Sequence, residues 1–420
     1  MTTAFVPGIE SLKQRAAERF AQLGMPTTRN EDWKFTNVSA IAQVSWQPPR
    51  ADLVSTVGLP GLEPFRLGLP AHELVFVNGR FAPHLSRLGS FPGGVIVSSL
   101  AQLLESTPDQ VEPFLGSIAD IGNHAFTALN TSQMTDGAVV VVPRGARIDD
   151  PIHLLFLSDA EAHVAVHPRN LIVAGESSDV TIIETYGSLR STAYFTNAVT
   201  EIVVGDNARV EHLKLERESD QAFHVGTIEA RQGRDSRFRS FSFALGGSLV
   251  RTNIYSIMAG EGSDCTMNGL YLLHQSQHID HQTRIEHAFP NCTSREVYKG
   301  IMDDNSHAVF NGKVFVRPEA QKTDGKQTNK NLLLSDGAKV DTKPQLEIFA
   351  DDVKCTHGAT VGPLDEIGLF YLESRGISPA RARRLLTYGF AADVLGEIVQ
   401  EPIRHQLERL VFERLETSMQ

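Results

Sequence analysis

The period of the apolar positions divides the chain into three stretches. In the first, Ile9, Leu12, Ala16, Phe20 and Leu23 share one helical face, and Gly24 followed by Pro26 ends it. "LVFVNGRFAP" predicts a hairpin turning at Asn78-Gly79. Strand-like residues from Gly94 to Val97 lead into a short helix at Leu100 to Leu104, capped by Ser98 or Ser99. "TRNEDWKFTNVS" and a Pro- and Gly-rich passage from Pro48 to Pro70 fill the remainder. Residues 1–130 are expected to form an N-terminal mixed α/β domain.

From about residue 135 the pattern is short β-branched runs between Gly, Asp, Asn and Ser turns, without a helical interruption. A weak repeat runs through it: a turn residue, a small residue three places on, and an apolar residue two further. It reads "GESSDV" from Gly175, "GDNARV" from Gly205, "GRDSRF" from Gly233, "GEGSDC" from Gly260, "SDGAKV" from Ser335 and "ADDVKC" from Ala350. The first four turns are spaced by 30, 28 and 27 residues, and Ser335 to Ala350 by 15, about half of that. Turns at a fixed period point to a solenoid. The third and fifth positions share one face of a strand, small then apolar, as a narrow stacked interior demands. A mainly β fold with a right-handed parallel β-helix core over residues 131–362 fits best, with a β-sandwich as the alternative. Hairpin signals every 8–12 residues, expected of a sandwich, are missing.

Residues 363–420 return to a helical period. Asp365 and Glu366 suit a first turn, Ile367, Phe370 and Tyr371 lie along one side, and Gly376 ends that helix. Ser378-Pro379 starts another, carrying Phe390, Val394 and Ile398. A last helix from Pro402 sets Ile403, Leu407, Leu410 and Val411 on one face. These helices are expected either to cap the β-helix or to present a surface to a partner.

Composition narrows the function. The formal net charge of the 420 residues is −11, and no long basic run occurs, which argues against nucleic acid. No stretch of about 18 apolar residues suggests a membrane span. The start, "MTTAFVPGIESLKQ", lacks the basic and apolar regions of a secretion signal. Cys265, Cys292 and Cys355 are too few and too scattered for a disulfide framework, so a reducing cytoplasm is expected. The P-loop pattern, the G-x-S-x-G elbow and the G-x-G-x-x-G fingerprint are all missing. Any nucleotide hydrolysis then belongs to another subunit, and flavin binding is left open.

The chemistry-bearing candidates are few. Cys355 and His357 lie two apart, on one face of a strand. They supply two ligands where zinc takes four, or three and water. Cys355 falls on the apolar position of the repeat, so packing is its plainer reading. His357, beside glycines at the end of the last strand, is the better ligand. "HQSQHIDHQTRIEH" holds His274, His278, Asp280, His281 and His287 without a metal spacing, and reads as a polar outer face. Asp303-Asp304 and Asp351-Asp352 suit turns accepting backbone hydrogen bonds. In a polysaccharide-active β-helix enzyme such pairs hold calcium.

Several stretches resemble a known family: "NEDWKFTNV" (Asn30 to Val38), "VFNGKVFV" (Val309 to Val316), the long block "QKTDGKQTNKNLLLSDGAKVDTKPQLEIFADDVKCTHGATVG" (Gln321 to Gly362) and "LFYLESRGI" (Leu369 to Ile377). Together they are similar to the SufB/SufD family of SUF iron–sulfur cluster assembly scaffolds. "HGATVG" and the chain length are closest to its SufD members. The resemblance implies a right-handed β-helix core between an N-terminal and a C-terminal helical domain. It implies a non-catalytic subunit, paired through its β-helix with a SufB-like subunit. The C-terminal helices would dock a SufC-like ABC ATPase, with Leu369, Phe370, Tyr371, Phe390, Val394 and Ile398 as the expected contact residues. It further implies a transient iron–sulfur cluster or iron near the SufB interface, where the family's Cys-x-His histidine falls on His357 and its cysteine on Cys355. A homodimer handling iron without SufB is the other arrangement considered.

Overall fold

A computed structural model describes residues 7–50, 57–160 and 163–418; part of the Pro48 to Pro70 passage lies outside them. Two long sheets face each other and share one interior. In spatial order the first sheet runs Arg80–Phe81, His72–Val77, Ile152–Ser158, Asp179–Ser188, Arg209–Arg217, Arg237–Ala244, Asp264–Leu273, Thr293–Met302, Asp324–Leu333 and Lys354–Gly362. The second runs Ile96–Ser99, Ala138–Val142, Arg169–Ala174, Phe195–Val204, Phe223–Gln232, Leu249–Met258, His278–His287, His307–Val316 and Lys339–Ile348. The chain alternates between the sheets, and every pairing beyond the first strands is parallel. This is the β-solenoid expected from the spacing of the turns.

The turns explain the repeat. Ser177, Asn207, Asp235, Gly262, Asn291 and Lys322 all have φ between 55° and 71°. Each donates its backbone N–H to a carbonyl of the next coil: Ser177 to Asp206, Asn207 to Arg234, Asp235 to Glu261, Gly262 to Pro290, Asn291 to Gln321 and Lys322 to Asp352. A left-handed residue is therefore stacked on the next at each turn, and short polar side chains or glycine tolerate that conformation best. "SDGAKV" belongs to the other column. Val340 stacks on Ala308, Ile279 and Val250 in the second sheet, so the 15-residue step is the crossing from one sheet to the other.

Inward side chains are small or apolar over much of the length: Val180, Val210, Phe238, Cys265 and Met267 from the first sheet meet Val250, Ile254, Ile279 and Phe310 from the second. The N-terminal region docks on this core. Helix α1 (Pro7–Leu23) buries Ile9, Leu12 and Ala16 as its periodicity predicts. A single turn α2 (Ser39–Ala42), then α3 (Leu100–Ser106, with Ser99 Oγ accepting from the Gln102 N–H) and α4 (Ala125–Gln133) complete it. The predicted hairpin forms, Val77 pairing Arg80 around Asn78 and Gly79, and its first strand lies parallel to Ile152–Ser158. Short antiparallel strands thus close the N-terminal end of both sheets.

The C-terminal helices are α5 (Glu366–Glu373), α6 (Pro379–Leu395) and α7 (Glu401–Ser418). They leave the end of the solenoid uncovered. Instead Ala391, Val394, Leu395, Ile398, Ile403, Leu407 and Val411 pack on the outer face of the first sheet against Leu213, Leu215, Phe241, Phe243, Leu270 and Leu272. The expectation of a helical cap is corrected: the apolar outer face of the sheet is the larger surface, and it takes the helices.

Candidate functional site

The last strand of the first sheet, Lys354–Gly362, pairs on one side only, with Asp324–Leu333. The last strand of the second, Lys339–Ile348, likewise has one partner. The solenoid therefore ends in two unpaired strand edges, and Cys355 and His357 sit on the first of them.

Register shows which way they point. Cys355 continues the column Val180, Val210, Phe238, Cys265, Ser294 and Gly325, whose members are buried. His357 continues Ile182, His212, Ser240, Met267, Glu296 and Gln327, equally buried. Both residues occupy interior columns. His357 is exposed because no coil follows, so its exposure comes from its place in the stack.

Cys355 is half-buried and packs with Val314, Val316, Ala320 and Ala350. A side chain on Gly325 would approach its sulfur to 3.4 Å, so the glycine makes room for the thiol. Burial pushes this thiol above its ordinary pKa, with the Asp324 carboxylate adding to the effect. The chain thus offers one accessible imidazole beside a thiol held protonated. Such a donor set does not enclose a metal ion or cluster by itself. Ile348, Phe349 and Val361 expose apolar surface around the same end.

The other partner-binding candidates separate into two groups. On α5, Phe370 and Tyr371 are 73% and 54% exposed, and Ile367 beside them is 80% exposed, while Leu369 is half-buried against the body. Val394 and Ile398 are fully buried in the helix–sheet contact, and Phe390 packs at its margin. Those three were expected to meet a partner. The structure assigns them to this chain's own packing, because the helical face that carries them is the one the sheet covers.

The histidine-rich strand is corrected too. His281 lies inside the solenoid between the rings of Tyr271 and Tyr298, 5.2 and 5.3 Å away, within 3.1 Å of Ser242 Oγ. His287 is buried 2.9 Å from Ser294 Oγ. His278 and Asp280 face outward yet are covered by the N-terminal segment, whose Thr36 hydroxyl donates to Asp280 at 2.5 Å. His274 sits at the preceding turn, near Asp220. Both sides of the strand are largely occupied, and Arg284 is its one exposed residue. Among the acidic pairs, Asp304 accepts from the Gln275 N–H and Asp303 from the Asp304 N–H, which are turn roles. Among the described residues no group of three His, Cys, Asp or Glu is arranged to hold a metal ion, and no helix is long and apolar enough to cross a membrane.

"NEDWKFTNV" acquires a role the sequence did not reveal. Trp33 lies over the buried guanidinium of Arg251 at 3.7 Å and beside Phe126 at 5.2 Å. Arg251 donates to the Asp32 carbonyl at 2.6 Å and to Asp280 at 2.7 Å. The motif fastens the N-terminal region to the outer face of the second sheet. A second buried pair does the same beside it: Arg169 donates to Glu201, which also accepts the N–H groups of Gly116, Ile118 and Ala119. The signal for both was an arginine inside a strand otherwise fit for burial.

The chain matches the family model "SUF system FeS cluster assembly, SufBD core domain" over residues 156–390 and "SufBD protein N-terminal region" over residues 2–154. It is 37% identical to an iron–sulfur cluster assembly SufBD family protein of Synechocystis, over 95% of this chain and 89% of that protein. It is 33% identical to the iron–sulfur cluster assembly protein SufD of Escherichia coli, over 96% and 92% of the two chains. Against the SufD protein of Bacillus subtilis the identity is 29%, over 96% and 93%.

Proposed function

The chain belongs to the SufBD family of SUF-system iron–sulfur cluster assembly proteins, and from that premise we propose that it is a non-catalytic scaffold subunit of the cytoplasm. It pairs through the open end of its solenoid with a SufB-like subunit, docks a SufC-like ATPase through its C-terminal helices, and contributes His357 where the cluster forms.

The observation that carries this reading is the open end. Unpaired N–H and C=O groups on two adjacent strand edges invite another strand on each. A second solenoid joined there extends both sheets and encloses His357 in the seam. His357 then supplies a neutral imidazole from one side, and the remaining donors, thiolates among them, come from the partner. Cys355 contributes packing under that seam. Energy input falls to the partner ATPase, since this sequence carries no P-loop. The exposed Ile367, Phe370 and Tyr371 give that partner an apolar anchor.

The test is purification of the complex with its co-expressed SUF partners. His357→Ala is expected to retain both partners and to abolish cluster formation on the complex, while Cys355→Ala retains most of it. Full cluster formation by His357→Ala removes the histidine from the site. The same open end also suits a second copy of this chain, the homodimeric reading. Native mass spectrometry of the complex from the host separates the two by the identity of the second chain.

A further inference from the structure

A cavity of about 220 Å³ lies between the Asn30 to Trp33 segment, the start of α4 and the outer face of the second sheet. Its inner end gathers hydrogen-bond donors. Residues Asn123 to Thr127 line one wall. The first amide N–H groups of a helix have no acceptor within it, and they carry the positive end of its dipole. His124, at the cap position of α4, makes no side-chain capping bond. Thr127 is 1% exposed, and its hydroxyl has no hydrogen-bond partner. A buried hydroxyl left this way is costly unless something fills the space beside it.

The opposite wall supplies a fixed cation. Arg251 lines the cavity and is immobilised by Asp280, Asn253 and the Asp32 carbonyl beneath Trp33. Tyr255 lines the cavity further along the same face of the same strand. Of the carboxylates on the lining, Glu31 is paired with Lys343, and Asp32 is exposed at the rim. We propose that this cavity is a binding site for a small oxyanion, a phosphate or a carboxylate, held by the α4 N-terminus and the Thr127 hydroxyl with Arg251 as its counter-charge. A helix N-terminus next to a fixed arginine suits that chemistry. The site touches the open end of the solenoid only through the Glu31–Lys343 pair and does not depend on the scaffold reading.

Trp33 lines the cavity, and Trp46 is the only other tryptophan. In the full-length Trp46→Phe protein, Trp33 fluorescence therefore reports on the site. Inorganic phosphate and succinate are titrated separately, with ionic strength held constant by chloride. A saturable change with either one is expected, and which of them produces it identifies the ligand as phosphate or carboxylate. In the same background Thr127→Val is expected to weaken the response at least tenfold and Thr127→Ser to retain it, with both melting curves unchanged. Should the valine variant not fold, Thr127→Ala replaces it. No saturable response to either anion, or equal responses with and without the hydroxyl, overturns the proposal.

Discussion

Cys355 and His357 show how a residue's role depends on where a stack stops. Spacing in the sequence placed Cys355 on the repeat's interior position, and register agrees. The repeat also carries His357 inward, which the sequence concealed, because nothing in a local pattern says which coil is last. The histidine-rich strand failed for a related reason. Its polar residues suggested an outer face, but tyrosines pack around His281 on one side and the N-terminal segment covers His278 and Asp280 on the other. Those histidines make stability depend on pH. His153, His167, His278, His281 and His287 are each pushed from 6.5 to about 4 by burial. Between those values the unfolded chain binds protons that the folded chain does not, so their stabilisation is complete above pH ~6.5 and is lost as pH falls toward 4. Glu229 and Glu296, raised from 4.5 to about 7 by burial, oppose this, because the fold binds their protons and loses stability as pH rises through that range. The histidines outnumber them. The urea midpoint should therefore be lower at pH 5 than at pH 7, and His281→Asn should narrow the gap. Equal midpoints at the two pH values would show that these groups do not stay neutral in the fold.

At the scale of elements, the β-solenoid was legible because its turns carry a chemical signature. Ser177, Asn207, Asp235 and Gly262 mark the positive-φ position in successive turns of one column. Coils turning at Asn291 and Lys322 escaped the pattern because Phe289 and Ala320 stand two places before those residues, where glycine stood before. The C-terminal helices were legible as helices, through Asp365 and Ser378-Pro379 at their starts. Their destination was hidden, since a face spaced by four residues does not name the surface it covers. This changes how ATPase docking is tested. Truncation after Gly376 would bare Phe241, Phe243 and Leu270 on the sheet and confuse lost docking with lost folding. Phe370→Asp is the cleaner change. It should leave the melting temperature within a degree or two while abolishing pull-down of the ATPase. Val394→Asp buries a charge with no partner in the helix–sheet contact and should cost about 3–4 kcal/mol. Retained ATPase with Phe370→Asp would move docking away from α5.

For the whole molecule, both outer sheet faces carry layers, helices α6 and α7 on one and the N-terminal region on the other. Lateral association is limited by those layers, so the end of the rod is the surface left for strand addition. Val361→Pro removes a backbone donor from the edge strand beyond His357. It should weaken pairing with the proposed second solenoid while leaving retention of the ATPase unchanged, as read by the mass of the purified complex. An unchanged complex would place the SufB-like partner elsewhere.

The two ends of the rod are chemically unlike. At the N-terminal end the sheets stop in the two-residue strand Arg80–Phe81 and the four-residue strand Ile96–Ser99, both antiparallel to their neighbours. At the other end they stop in long strands with a free side. In the vocabulary of polymer chemistry the molecule is a monofunctional monomer. It can react once, end to end, and the product has no second reactive terminus. Its N-terminal end offers only short antiparallel strands to a further copy, so a fold built by stacking similar coils is guarded against growing into a fibre.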